Sequence, residues 1–171
     1  MRIKPMITGF CCFAFCCATA FAQGGAMSKS DQDFLKMAAE TDRTEAHLGQ
    51  MAQEQASEQG VKDLGQMFIQ DHTKDYQTVS QLATKAGATV PNGIDSAKIA
   101  PIRSLQHLKG KSFDRRFIQE SISGHEKAIV AYKKESEQGE NADIKAYATQ
   151  TLPTLEAHLQ KSQDLTKDGK K

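Results

Sequence analysis

The sequence predicts an all-α fold, a four-helix bundle made of two helical hairpins. Three observations lead there. Apolar residues recur at three- and four-residue steps through four long segments, the period of one helix face. No stretch alternates apolar and polar residues as a half-buried strand would. The tetrapeptide SEQG occurs at Ser57–Gly60 and again at Ser136–Gly139, each time between two of the long segments, as a hairpin turn would.

The first helix is expected from about Ser30, whose hydroxyl can cap it, to about Ser57, with Phe34, Ala38, Thr41, Glu45, Leu48 and Ala52 on one face. The second runs from about Val61 to Ala86, with Val61, Leu64, Phe68, His72, Val79 and Leu82 inward, and Gly87 is placed to end it. A connection of about 25 residues follows. It opens with Val-Pro-Asn-Gly turn chemistry and is too long for a bare loop, so a short helix is expected across roughly 95–108.

The third long helix is expected from Ser112 to about Gln138, with Phe113, Phe117, Ile118, Ile122, His125, Ile129 and Tyr132 inward. The fourth runs from about Asn141 to Leu165, with Ile144, Ala148, Leu152, Leu155 and Leu159 inward. An interior proline removes a backbone hydrogen bond at a cost of roughly 3 kcal/mol. Pro153 should therefore kink this helix, or break it near Leu152 with Thr151 capping the restart. Two hairpins joined by a long crossover are the arrangement of ferritin-like bundles.

Residues 1–22 read as an export signal and 23–171 as a single domain. MRIK is a short basic start, ITGFCCFAFCCAT an apolar run of about 13 residues, and Ala20-Phe21-Ala22 a cleavage site. The run is too short to span a bilayer comfortably, so the mature chain is expected to have no transmembrane span and to work in the periplasm or cell envelope. Each of Cys11, Cys12, Cys16 and Cys17 follows Phe or Cys, which disfavours lipidation. All four cysteines go with the leader, which excludes a disulfide framework, a thiolate metal site, a cysteine nucleophile and a CxxCH haem attachment in the mature chain.

The full chain carries 22 basic and 21 acidic residues. Loss of Arg2 and Lys4 with the leader takes the formal charge from +1 to about −1, and the signs are mixed along the chain. No basic field is present to attract nucleic acid.

Four polar residues fall on the inward faces: Glu45 on the first helix, His72 on the second, His125 on the third, and His158 beside the stripe of the fourth. Each is near the middle of its helix. At a rise of 1.5 Å per residue, all four should lie within roughly 8 Å of the bundle midplane. A carboxylate and three imidazoles at one level of an apolar core are costly unless they satisfy one another. Either a transition metal (zinc, copper or iron) or a metal-free Glu–His network does so. Asp71, Asp75 and Asp114 are candidate supporting ligands or ring-orienting groups.

Several chemistries are poorly matched. Di-iron carboxylate bundles use Glu-x-x-His, whereas Ile69, Ile122 and Leu155 precede the three histidines by three residues. Met37, Met51 and Met67 could serve a His/Met haem, but nothing marks one as an axial ligand. There is no Gly-rich phosphate loop and no GxSxG motif.

The ordered set DQDFLKMAAETDRTEAHLGQMA, MFIQDHTKDYQTVSQLATKAG, LKGKSFDRRFI, GHEKAIVAYKKESEQG and LPTLEAHL resembles the exported bacterial family called domain of unknown function 4142. The resemblance spans nearly all of the mature chain. It implies a ferritin-like fold and places the family's recurring polar positions at Glu45, Asp71, His72, Asp114, His125 and His158. The family is often labelled an outer-membrane protein; without predicted strands that label cannot mean a barrel, so envelope association is its physical content. Gly124 stands where the family commonly has an acid, and Phe117 where Tyr is common. The resemblance implies no established reaction.

Three functions compete at this point. The residues fit an exported metal-binding or redox protein used for sequestration or envelope stress defence. They also fit a non-enzymatic protein that meets an envelope protein partner through its surface, with core histidines that are only structural. A hydrolase or oxidase using the buried acid and imidazoles has the residue types but no recognisable substrate pocket.

Overall fold

The structure, a computed structural model, describes residues 27–96 and 99–168. The expected leader lies outside the described residues. Among the described residues, five helices follow in order: α1 (Lys29–Gln55), α2 (Gln59–Lys85), α3 (Ala100–Leu105), α4 (Gly110–Gln138) and α5 (Ala142–Asp168). The four long helices form the bundle. α1 packs on α2 and α4 on α5 as hairpins, while α1 also faces α4 and α2 faces α5. Among the described residues, no helix is long and apolar enough to cross a membrane.

Two aspartates lock the hairpins together and fix their directions. Asp114, near the start of α4, accepts from the backbone N–H of Ser57 at 3.0 Å and of Glu58 at 3.2 Å, and also from the Ser57 hydroxyl. Asp31, near the start of α1, accepts from the backbone N–H of Glu140 at 3.1 Å and of Asn141 at 3.0 Å. Each hairpin thus caps the other's turn with a carboxylate, a favourable place for negative charge at a helix start. The crossover carries the chain the length of the bundle, so all adjacent long helices run antiparallel.

A shift of 83 residues carries Asp31 onto Asp114 and Ser57 onto Glu140. Lys62 and Lys145 obey the same shift. The SEQG repeat does not: its first copy spans the α1–α2 turn, whereas its second lies mostly in the last turn of α4. The internal repeat is real in the fold, and its register is set by the capping aspartates.

Helix ends differ in detail from expectation. Ser28, in extended backbone, is the cap of α1, and its Oγ accepts from the Asp31 N–H at 3.1 Å; Ser30 lies inside the first turn. The short helix of the crossover is Ala100–Leu105, and its Leu105 is buried. The crossover is strapped to the first hairpin, since Tyr76 Oη donates to the Pro91 carbonyl at 3.2 Å and Arg43 to the Asn92 carbonyl at 3.0 Å. α5 continues through Pro153 without a break. The ring and Thr149, whose carbonyl it leaves without a helical partner, are both exposed, so water can satisfy that oxygen.

The core is divided. One apolar cluster, around Phe34, Leu35, Val79, Tyr132 and Ile144, fills the end near the α4–α5 turn. The other, around Leu64, Phe68, Leu105, Phe113 and Phe117, fills the end near the α1–α2 turn. Met37 packs on the first, and Met51 and Met67 belong to or border the second. The buried polar side chains of the helix midpoints separate them.

α1 and α2 approach closely where two glycines meet. A Cβ on Gly49 would collide with the Gly65 carbonyl oxygen, and one on Gly65 would lie 2.6 Å from the Ala52 Cβ. Gly65→Ala should therefore lower stability by about 1–3 kcal/mol through overpacking. Gly93→Ala, at a site with nothing within 4 Å of the added atom, should shift it by less than about 0.5 kcal/mol. Urea unfolding followed by helical circular dichroism compares the two.

Candidate metal centre

His72, His125 and His158 converge from α2, α4 and α5, and are 3%, 1% and 1% exposed. One nitrogen of each ring lies within 4.8 Å of the other two. Phe68, one turn before His72 on α2, packs against all three imidazoles, with ring centroids 5.6 Å from His72, 4.9 Å from His125 and 5.0 Å from His158. It is the member of the second apolar cluster that abuts the centre.

The hydrogen bonds on the far sides of the rings fix which nitrogens face inward. His125 Nδ1 lies 2.9 Å from the Ser121 carbonyl, which can only accept. Its Nδ1 therefore carries the proton, and in the neutral ring Nε2 carries the lone pair. His158 Nε2 lies 2.9 Å from Asp71 Oδ2 and donates to that carboxylate, which leaves the lone pair on Nδ1. These two lone-pair nitrogens, His125 Nε2 and His158 Nδ1, face each other at 3.1 Å. Two acceptors in contact repel unless a proton or a metal cation bridges them.

A bridging proton is disfavoured by the surroundings. Burial, then the neighbouring His158, pushes His125 down to about 4. Burial lowers His158 as well, with Asp71 opposing. His72 is held well below the usual imidazole range, by burial first and then by its two neighbours. Three neutral imidazoles result, the form that binds metals. Neutral imidazole nitrogens this close would be suitable ligands for a transition-metal cation.

His72 completes the set. Its Nδ1 is 2.9 Å from Asp42 Oδ1, and its buried Nε2 has no hydrogen-bond partner. Burial, then the charges of Asp75 and Glu45, raise Asp42 well above the ordinary carboxylate range. A carboxyl so raised keeps its proton and donates it to Nδ1, which places the hydrogen of the neutral ring on Nε2. Ionised, Asp42 would instead accept from Nδ1, and Nε2 would be free to offer a lone pair to a cation. Each of the three rings thus has one nitrogen held by an oxygen (Asp42, the Ser121 carbonyl or Asp71), the pattern that orients histidine ligands.

Of the residues expected from sequence, the three histidines come together and Asp71 orients one of them. Glu45 is not part of the converging group. It is 5% exposed and lines a hollow on the α1–α4 face with Gly124, where an added Cβ would lie 2.9 Å from Glu45 Oε1. Asp75 accepts from Tyr147 Oη at 2.6 Å, and that phenol is also 2.9 Å from Tyr132 Oη. Asp114 serves the α1–α2 turn, about 16 Å along α4 from His125 at the helical rise.

Asp42 is the residue that sequence reasoning missed. The expected stripe on α1 runs through Thr41, but Asp42 is the buried one at 2% exposure and Thr41 is only partly covered. The signal was available, because Leu35, Ala38, Asp42, Glu45, Gly49 and Ala52 keep the same helical period.

Fold and site together define a crossover four-helix bundle with a buried three-histidine centre at its waist. The sequence profile described as Domain of unknown function (DUF4142) matches residues 16–165, and the chain belongs to that family. No curated protein matches it. Among solved structures, the chain is similar to CopM in the Cu(I)-bound form, with TM-score 0.70 and 18% identity over 81% of this chain and 96% of that one. CopM in a silver-bound co-crystal aligns with TM-score 0.67 and 18% identity over the same shares. A DUF305 fragment from Deinococcus radiodurans aligns with TM-score 0.72 and 12% identity, again over 81% and 96%. At these identities the likeness is one of fold.

Burial pushes Glu45 up to about 8, with Glu120 adding to the effect. A carboxyl held protonated when folded but ionised when unfolded gives stability that is full below about 4.5 and is lost as pH rises toward 8. Glu45→Gln removes that loss. The variant should be more stable than the parent by about 2–3 kcal/mol at pH 7 and nearly equal to it at pH 4.5. Urea midpoints at the two pH values test the sign.

Proposed function

We propose that the protein binds one transition-metal ion at His72, His125 and His158, and that it holds the ion in the cell envelope for sequestration or stress defence rather than catalysing a reaction. The observation that carries this reading is the 3.1 Å approach of His125 Nε2 to His158 Nδ1, two rings whose other nitrogens each face an oxygen acceptor. A metal-free hydrogen-bond network would place a donor against an acceptor there. The partnerless buried Nε2 of His72 supports the same reading. Export is supported by the leader-like composition of residues 1–22.

Imidazole ligands without a thiolate suit copper, zinc and iron. CopM structures of similar fold are described as Cu(I)-, Cu(II)- and silver-bound, which makes copper the first ion to test. A bound ion would supply positive charge that matches three lone pairs. The chain's own part is to hold those pairs in place: Asp42, the Ser121 carbonyl and Asp71 fix the rings, and Phe68 excludes water from one side.

The mature chain should bind one equivalent of copper by calorimetry and elemental analysis. Free ion at a hundred times Kd should stabilise it by about 2.7 kcal/mol. His125→Ala and His158→Ala should each abolish that stabilisation, while Glu45→Gln should retain it. Metal-free protein whose melting temperature ignores added copper, zinc and iron would sink the reading.

A further inference from the structure

The three imidazoles are enclosed on most sides. Apolar clusters close both ends of the bundle. The hollow on the α1–α4 face, of about 400 Å³, has Glu45 and Gly124 in its walls but none of the three rings. The α2–α5 face differs. A cleft of about 230 Å³ opens there between the two helices, and its lining includes both His72 and His158. These rings are almost wholly buried, so they form its floor.

The walls of the cleft are mixed, with polar side chains set among apolar surface that includes Leu155. Asp71 and Asp75 line it from α2, with exposed Thr78 and Lys74 at the rim, and Tyr147 and exposed Thr154 line it from α5. Asp71 holds a position between solvent and centre. Its side chain is 43% exposed, yet its Oδ2 accepts from His158 Nε2 at 2.9 Å. A hydrated cation attracted to this carboxylate is one imidazole ring away from His158 Nδ1. It can exchange water for a carboxylate oxygen before meeting nitrogen, which spares it complete dehydration in an apolar channel.

We propose that the α2–α5 cleft is the route by which a metal cation reaches and leaves the three-histidine centre, with Asp71 as the carboxylate it meets first. This rests on the reading of the triad as a metal centre. It adds that the centre exchanges its ion through one face of the bundle, so uptake and release are controlled by residues that are not ligands.

The test uses the mature full-length protein, with Cu(II) as probe, stopped-flow mixing for uptake and a small chelator in excess for release. Thr154→Trp narrows the cleft from α5, and Thr78→Trp does so independently from α2. Both should slow uptake and release by about tenfold with unchanged equilibrium affinity, because a barrier raised equally in both directions leaves Kd alone. Lys127→Trp, in the wall of the α1–α4 hollow, should load and release like the parent. Asp71→Asn should slow uptake more than it weakens equilibrium affinity.

Tight binding with parental rates in both cleft variants overturns the route and leaves the metal centre standing. Slowing in Lys127→Trp alone also overturns it, and places the entrance on the opposite face. A parent chain that takes up no copper, zinc or iron fails at the earlier step, and the route falls with the metal centre.

Discussion

Nitrogen lone pairs buried at the waist of the bundle set the terms for much of what surrounds them. An apolar core would gain more from leucine at those positions, as the two clusters on either side do. Three imidazoles can be kept there only if each proton and each lone pair has a defined place. The chain supplies that definition from outside the triad. A backbone carbonyl on α4, a carboxylate on α2 and a carboxyl on α1 take the outer nitrogens. The inner nitrogens are thereby turned on one another, and burial keeps the rings neutral.

The rest of the fold can be read as what makes this arrangement rigid. Asp31 and Asp114 tie each hairpin to the other's turn, which limits sliding of α1–α2 against α4–α5. Such sliding would separate His72 from His125 and His158, because the triad draws one ring from the first hairpin and two from the second. The glycine contact between α1 and α2 fixes the other relevant distance, that from Asp42 to His72. Hydrogen bonds of about 2.9 Å tolerate little displacement. A loosely packed bundle of the same composition could contain these residues without aligning them.

Much of this was legible in the sequence, for a specific physical reason. Helical period places residues on faces, and rise per residue places them at depths, so His72, His125 and His158 could be assigned to one level before any coordinates. Period resolves direction only to about a third of the helix circumference, which is where reading failed. Glu45 and Asp42 both lie on the inner side of α1, yet Asp42 points across to α2 and Glu45 toward α4. One helical step of three residues separates them, and only the packing of α1 in its neighbours' grooves decides which reaches the rings. Asp114 shows the other limit. It reads from sequence as a candidate supporting ligand, but its partner, the turn 57 residues earlier in the chain, is set by topology and not by local pattern.

The 83-residue correspondence explains why the centre is lopsided. Under that shift, His125 falls on Asp42, His158 on Asp75 and Leu155 on His72. The scaffold is therefore repeated in its caps while its waist is not. Where the second hairpin presents two imidazoles, the first presents two acids, and where the first presents an imidazole, the second presents leucine. An exact repeat would have given the two hairpins the same set of acids and imidazoles. The observed division gives one half most of the ligand-type nitrogens, and gives the other an acid that orients His72 and an acid held by Tyr147. A two-fold scaffold acquires a directional centre in this way, and the open cleft lies between α2 and α5, the helices that carry His72 and His158.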